Sequence, residues 1–173
     1  MIRVLIVEDE PLIAEAHRTY VERVPGFTVV GTAHTGSAAM RAASEAVDPV
    51  DLVLLDIGLP DANGIDVAAA LGGLRPSPDV IAITSERDLA VVRSAVAHGV
   101  VLYLLKPFTF AAFRDKLERY REFHDALPAG ANAASQREID RAMSHLRTAD
   151  ERASTPKGIA PQTMDGVTAI VRE

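Results

Sequence analysis

Residues 1–125 predict an α/β fold: a parallel sheet covered by helices on both faces. Two observations carry the prediction. Short apolar runs of Val, Ile and Leu recur five times without the polar alternation of a half-exposed strand. Each run is followed by a stretch whose apolar residues are spaced for a helix, and the joints between them are short. Five such units in succession imply right-handed crossovers and a single sheet. Sheets of this kind receive ligands at the carboxyl ends of their strands, beside the point where strand order reverses.

The elements run in order along the chain. Ile2–Val7, apolar except for Arg3, is the first strand. Pro11–Val24 is the first helix, with Leu12, Ile13, Ala16, Tyr20 and Val24 at helical spacing, and Pro25-Gly26 ends it. Phe27–Ala33 is the second strand and the alanine-rich Ser37–Val47 its helix. Asp51–Leu55 is the third strand, and Gly64–Leu74 a helix closed by Gly72-Gly73. Val80–Thr84 and Arg87–His98 form the fourth unit, stopped by Gly99. Val100–Leu105 and Thr109–Ala126 form the fifth.

Beyond Leu127 the character changes. Pro128–Ala134 (PAGANAA) reads as a linker, so the sheet unit is placed at 1–125 and the joint at 126–134. Ser135–Ala149 predicts an amphipathic helix, capped by Ser135 with Glu138 at the capping-box position and lined on one side by Ile139, Met143 and Leu146. Ser154–Ala160 is another break, and Pro161–Val171 a short helix. Residues 135–173 bury little apolar surface alone and read as an accessory to something larger.

Composition narrows the function classes. Cysteine is absent among the 173 residues, which excludes disulfides, thiolate metal sites and cysteine catalysis. MIRVLIVEDE is no signal peptide, because its short apolar run meets three consecutive acids, and no stretch approaches the ~20 apolar residues of a membrane span. A cytoplasmic protein without membrane contact is expected. Residues 1–125 hold 12 Lys/Arg against 18 Asp/Glu, a net charge of −6, which disfavours nucleic-acid binding by that part; residues 126–173 are neutral, six against six.

Polar residues close four of the five strands. The first ends at Glu8-Asp9, the third at Asp56, the fourth at Thr84-Ser85 and the fifth at Lys106-Pro107. Glu8-Asp9 alone can be a helix cap, where acids favour the positive end of the dipole. A third carboxylate on a neighbouring strand changes the reading, since crowded acids repel and a bound cation relieves them. Oxygen ligands with room for water suit Mg2+ or Mn2+ rather than zinc. Asp56 then has two possible roles, a metal ligand or a nucleophile that takes a phosphoryl group. Phosphoryl transfer needs positioning and charge neutralisation, which a cation, the Lys106 ammonium and the Thr84 hydroxyl supply. No dedicated general base is evident, which favours a phosphorylatable switch over a rapid-turnover enzyme.

VEDE at 7–10, DIGLPDANG at 56–64, Thr84-Ser85 and Lys106-Pro107-Phe108 resemble the receiver domain of bacterial two-component response regulators. The resemblance covers about residues 1–125. It implies a flavodoxin-like sheet of order 2-1-3-4-5, Asp56 as phosphoacceptor, and a sensor histidine kinase as partner. It also implies direct Mg2+ ligation by Asp9, Asp56 and the Gly58 carbonyl, with Glu8 acting through water. Lys106 would pair with the phosphoryl group and Thr84 would hydrogen-bond it. Tyr103 matches the family's switch aromatic, whose bland alternative is packing. Lys106–Pro107 is a candidate cis peptide. Gly58 and Glu86, two residues after Asp56 and Thr84, flank the path of attacking water, and the small Ser85 leaves room for a phosphodonor. The surface of the fourth helix, fifth strand and fifth helix commonly dimerises in such domains, and the C-terminal helix is a second candidate for a homodimer.

Against that stand quieter readings. The five histidines show no ligand spacing and are expected in surface or structural roles. Arg114, Lys116, Arg119 and Arg121 alternate with acids on the last helix of the sheet unit and are expected to form solvated i,i+3 or i,i+4 pairs. The runner-up function is an aspartyl-nucleophile phosphatase. Enzymes resembling the haloacid dehalogenases carry a paired Asp-x-Asp-x-Thr after their first strand, however, whereas Asp56 follows the third and has Gly58 two positions on. SQREID at 135–140 and TPKGIAPQT at 155–163 are similar to the segment that joins receiver to winged helix in citrate/dicarboxylate-type transcriptional regulators. That similarity implies a DNA-binding module of which Pro161–Val171 is only the start, so DNA reading is expected of a longer protein. A receiver with a non-DNA output is the third reading.

Overall fold

The five central runs do form one parallel sheet, in the order β2-β1-β3-β4-β5. The computed structural model describes residues 1–85, 89–127 and 136–154. Its strands are β1 (Ile2–Val7), β2 (Phe27–Ala33), β3 (Leu52–Asp56), β4 (Asp79–Thr84) and β5 (Val100–Leu105). The helices are α1 (Pro11–Glu22), α2 (Gly36–Glu45), α3 (Gly64–Leu71), α4 (Leu89–Ala97), α5 (Phe110–Ala126) and α6 (Gln136–Ser154). All five residues of β3 are buried, whereas the edge strands β2 and β5 are only partly so. A continuous apolar run marked the fully covered β3, but the edge strand β5 carries one too, so apolar continuity alone does not tell a central strand from an edge strand.

Two cores lie on opposite sides of the sheet. On one side α1 and α5 bring Ala14, Val21, Phe113, Leu117 and Tyr120 against Val4, Ile6, Leu54 and Ile83. On the other, α2, α3 and α4 bring Ala39, Val67, Leu71 and Ala95 against Leu5, Val53, Leu55 and Ala82. Strand order reverses between β1 and β3, which pair with Val7 beside Leu55. The crevice at their carboxyl ends is where such a sheet places its ligand.

Helix starts explain much of the loop geometry. Thr35 caps α2 by accepting from the Ala38 amide at 3.1 Å, Asn63 caps α3 from Ile65 at 2.8 Å, and Thr109 caps α5 from Ala112 at 3.1 Å. α1 starts differently: Pro11 takes the first turn, and Glu10 at its N-cap makes no side-chain cap. The carboxylates of Glu8 and Asp9 are thus not spent on capping. Gly99, at φ 94°, makes the left-handed turn that stops α4, and Gly26, also at φ 94°, turns the chain into β2.

Several boundaries differ from the sequence reading: α1 stops at Glu22 rather than Val24, and α3 at Leu71 rather than Leu74. α2 stops at Glu45, leaving Val47 almost wholly exposed. α6 runs on to Ser154 rather than stopping at 149, because Asp150–Ala153 holds no Gly or Pro to break it. Its buried stripe also differs: Ala142 and Leu146 are buried, whereas Ile139 and Met143 stay about 40% exposed. The small Ala142 brings α6 close to α5, and that geometry turns the two larger residues to the rim. Glu122 on α5 pairs with His145 on α6 at 3.1 Å.

The charges of α5 find partners both along the helix and on other elements. Arg119–Glu122 at 3.6 Å is a pair along the helix, but Arg121 Nη1 donates to the Pro25 carbonyl at 2.6 Å, and Lys116 lies over the Tyr103 ring. The expected linker at Pro128–Ala134, the Ser135 cap, Glu86 and the helix at 161–171 lie outside the described residues. Among the described residues, no helix is long and apolar enough to cross a membrane.

Candidate functional site

Every residue singled out at a strand end, other than those outside the described residues, reaches the same edge of the sheet. Glu8 and Asp9 follow β1, Asp56 closes β3, Thr84 closes β4, and Lys106 follows β5. Backbone pairing fixes their level. The Glu8 amide donates to the Ala33 carbonyl at 2.9 Å, Ile57 to Ile83 at 3.1 Å, and Lys106 to Thr84 at 2.8 Å. Together they line a cavity of about 740 Å³, walled on its apolar side by Ile13, Leu59, Ile65 and Val91. Of those four, sequence periodicity singled out only Ile13, as one of the apolar residues at helical spacing in the first helix.

Glu8, Asp9 and Asp56 each present a carboxylate oxygen, all within 4.8 Å of one another. Glu8 is almost completely buried and Asp56 nearly so. Lys106 Nζ stands 3.5 Å from both Glu8 Oε2 and Asp56 Oδ2. Burial, a hydrogen bond shared with Asp56 and the Asp56 charge push Glu8 up to about 7, against the pull of Lys106. Burial also works to raise Asp56, but hydrogen bonds from Glu8 and the Gly58 amide, with Lys106, outweigh it and hold the group below the usual carboxylate range. A hard, oxygen-seeking dication fits three carboxylate oxygens crowded within 4.8 Å, whose mutual repulsion it relieves.

The loop after β3 is fixed from several sides. The Gly58 amide donates to Asp56 Oδ1 at 3.0 Å, and the Gly64 amide donates to the Ile57 carbonyl at 3.0 Å. Gly64 allows this approach because a Cβ there would stand 2.5 Å from Ile57 Cα. Asp61 accepts from the amides of Gly36 at 2.8 Å and Ser37 at 3.2 Å, which hold its carboxyl below the usual range and tie the loop to the start of α2. Sequence reasoning missed Asp61; its partners lie 25 and 24 residues away, and no local pattern links them.

Lys106–Pro107 is cis, as the motif implied, and Arg75–Pro76 is a second cis bond not anticipated. Behind Lys106, Phe108 stacks on His17 with ring centroids 5.7 Å apart, and Phe113 completes the stack. His17 is buried there in a structural role, with burial and the Lys106 charge lowering it to about 4. His34 Nδ1 lies 2.8 Å from the Glu8 carbonyl, a contact in which the ring nitrogen donates. Tyr103 is half-buried on β5, opposite Ala82, while Ser85 is exposed.

A doubly wound five-stranded sheet with an acidic cluster and a lysine at its carboxyl edge is the architecture of a receiver-type signalling domain. The chain belongs to the response regulator receiver domain family, whose model matches residues 4–118. It is 37% identical over 166 residues to the transcriptional regulatory protein DcuR of Escherichia coli K12, covering 95% of this chain and 69% of that one. It is 33% identical over 173 residues to the probable C4-dicarboxylate response regulator DctR of Halalkalibacterium halodurans, covering 100% and 74%. Among solved structures it resembles the response regulator domain of Thermotoga maritima CheB, with a TM-score of 0.64 at 29% identity, over 74% of this chain and 99% of that one.

Proposed function

We propose that the chain is the phosphoacceptor switch of a two-component system, with Asp56 as nucleophile and a sensor histidine kinase as donor. The observation that supports this best is the placing of Lys106 Nζ, 3.5 Å from Asp56 Oδ2 at the rim of an open cavity. An Asp56 carboxylate oxygen bonds to phosphorus as the P–N bond of a phosphohistidine breaks, and the imidazole leaves with the electron pair. The Lys106 ammonium neutralises the incoming phosphoryl oxygens and the Thr84 hydroxyl donates to one of them. Mg2+ (or Mn2+), held by Glu8, Asp9, Asp56 and the Gly58 carbonyl, supplies the remaining charge neutralisation when bound. The chain acts as a switch rather than as a turnover enzyme, a reading supported by its kinship to response regulators.

Thr84 and Tyr103 carry the switch to the face made by α4, β5 and α5. We assign residues 1–125 to the receiver, 126–134 to a joint and 135–173 to the output side. Transcriptional output through a DNA-binding module following the P-K-G segment at 156–158 rests on the similarity to DcuR and DctR. Homodimerisation through the α4–β5–α5 face or through α6, and a stimulus of C4-dicarboxylate chemistry read by a kinase, rest on the same kinship. Such a partnership places the chain in the cytoplasm.

Acetyl phosphate with Mg2+ is expected to add one phosphoryl group to the chain, measured by intact mass, and Asp56→Asn to abolish the addition. Unchanged labelling of the Asn variant would sink the assignment of Asp56. Steady multiple turnover on a generic phosphoester would point instead to a phosphatase.

A further inference from the structure

β5 is the last strand in the sheet order, and its side chains divide between the two cores. Leu102 and Leu104 enter the core beneath α1 and α5. Tyr103 packs with the opposite core, the one that holds Val80, Ala82 and Val91. Lys116 is rooted on α5, on the first side. Its ammonium nevertheless lies 5.5 Å from the centroid of the Tyr103 ring. The lysine stem therefore passes around the edge of β5 and ties α5 to a ring of the opposite layer. Both residues are half-buried, so the charge is partly dehydrated where the negative face of the ring attracts it.

We infer that Lys116 is a positioning residue: it holds Tyr103 in its half-exposed place and so biases the chain toward the inactive state. The inference rests on the proposed roles of Asp56, Thr84 and Tyr103, and names a regulator of that same switch. Tyr103 sits opposite Ala82, two residues before Thr84 on the neighbouring strand. A ring that moves toward Thr84 leaves the ammonium behind, and α5 loses its clasp on the far layer. α5 in turn carries α6 through Ala142, Leu146 and the Glu122–His145 pair. The departure of one ring is thus felt by the helix that leads to the output side. A contact of this class sets a bias of about two- to five-fold.

The test uses the full chain with Mg2+ and beryllofluoride, a phosphoryl mimic, read by calorimetry and by the NMR signals of the Tyr103 ring. Lys116→Met keeps the stem and removes the charge. It is expected to tighten beryllofluoride binding about two- to five-fold and to shift the free chain's ring signals toward their bound position. Lys116→Arg is expected to restore wild-type behaviour. In a Tyr103→Leu background, the effect of Lys116→Met is expected to shrink, because the pair no longer exists. Wild-type binding with no change in Lys116→Met, or an undiminished change in the Tyr103→Leu background, overturns the inference alone. Failure of the wild type to bind beryllofluoride overturns the phosphoacceptor reading and the inference with it.

Discussion

The Lys106 ammonium stands 3.5 Å from the Asp56 carboxylate and reaches Glu8 at the same distance, although 50 and 98 residues separate them in the chain. One cation faces three carboxylates there, so the cluster is short of positive charge.

That shortage predicts stabilisation by metal. Adding Mg2+ to chelator-treated chain is expected to raise the unfolding temperature, because a ligand bound only by the folded state stabilises it by about 2.7 kcal/mol at a hundredfold excess over its Kd. For a chain of this length that corresponds to roughly 5–10 °C. Asp9→Asn and Asp56→Asn are each expected to lose most of the shift in a thermal melt. A full shift in both variants would place the ion elsewhere.

His17 predicts an acid-labile core. Burial lowers its folded pKa to about 4, below the ordinary 6.5, so the folded state disfavours the charged ring. The unfolded chain binds the extra proton between those values, and stability therefore falls as pH drops from 6.5 toward 4. At pH 5 the loss is about 2 kcal/mol relative to pH 8. His17→Phe is expected to remove that component, seen as a smaller change in urea midpoint between the two pH values.

Gly64 and Gly58 predict opposite tolerance within one loop. A Cβ at Gly64 meets Ile57 Cα at 2.5 Å and the Ile57 carbonyl at 2.9 Å, so Gly64→Ala is expected to cost about 1–3 kcal/mol through backbone displacement. A Cβ at Gly58 meets only Asp56 Oδ1 at 3.8 Å, an ordinary contact. Gly58→Ala is expected to unfold within about 0.5 kcal/mol of wild type. Chemical denaturation of the two variants side by side checks the contrast.

α6 predicts a separable layer. Ala142 is fully buried against the rest of the chain, so Ala142→Glu places an unpaired charge in that contact. Amide exchange in α6 is expected to rise toward the unprotected rate while β1, β3 and β4 keep their protection. Loss of protection throughout would show instead that α6 and the sheet unfold as one unit.

The strand ends were legible because a parallel repeat leaves little freedom. Each β–α unit returns the chain to the same side, so the residues after β1, β3, β4 and β5 share one edge whatever the details of packing. The helix caps Thr35, Asn63 and Thr109 are residues of the usual capping types that the sequence reading did not single out, and Asp61 escaped it because its role is to accept from amides of another helix. On α5 the alternating charges suggested a solvated ladder. Arg121 instead closes over Pro25 and Lys116 over Tyr103, because neighbouring elements offer partners that helical spacing cannot reveal.

By itself the sequence determined the five β–α units and the residues that form the acidic edge, while the central position of β3 followed from the family resemblance. Local periodicity records which faces are apolar, and chain direction in a parallel sheet does the rest. Only the tertiary structure decided which neighbour covers each face: that Ala142 and Leu146, rather than Ile139 and Met143, bury α6, and that Lys116 crosses the edge of β5 to a ring in the opposite layer. Those choices depend on side-chain volume and reach between elements distant in the chain, which no local pattern encodes.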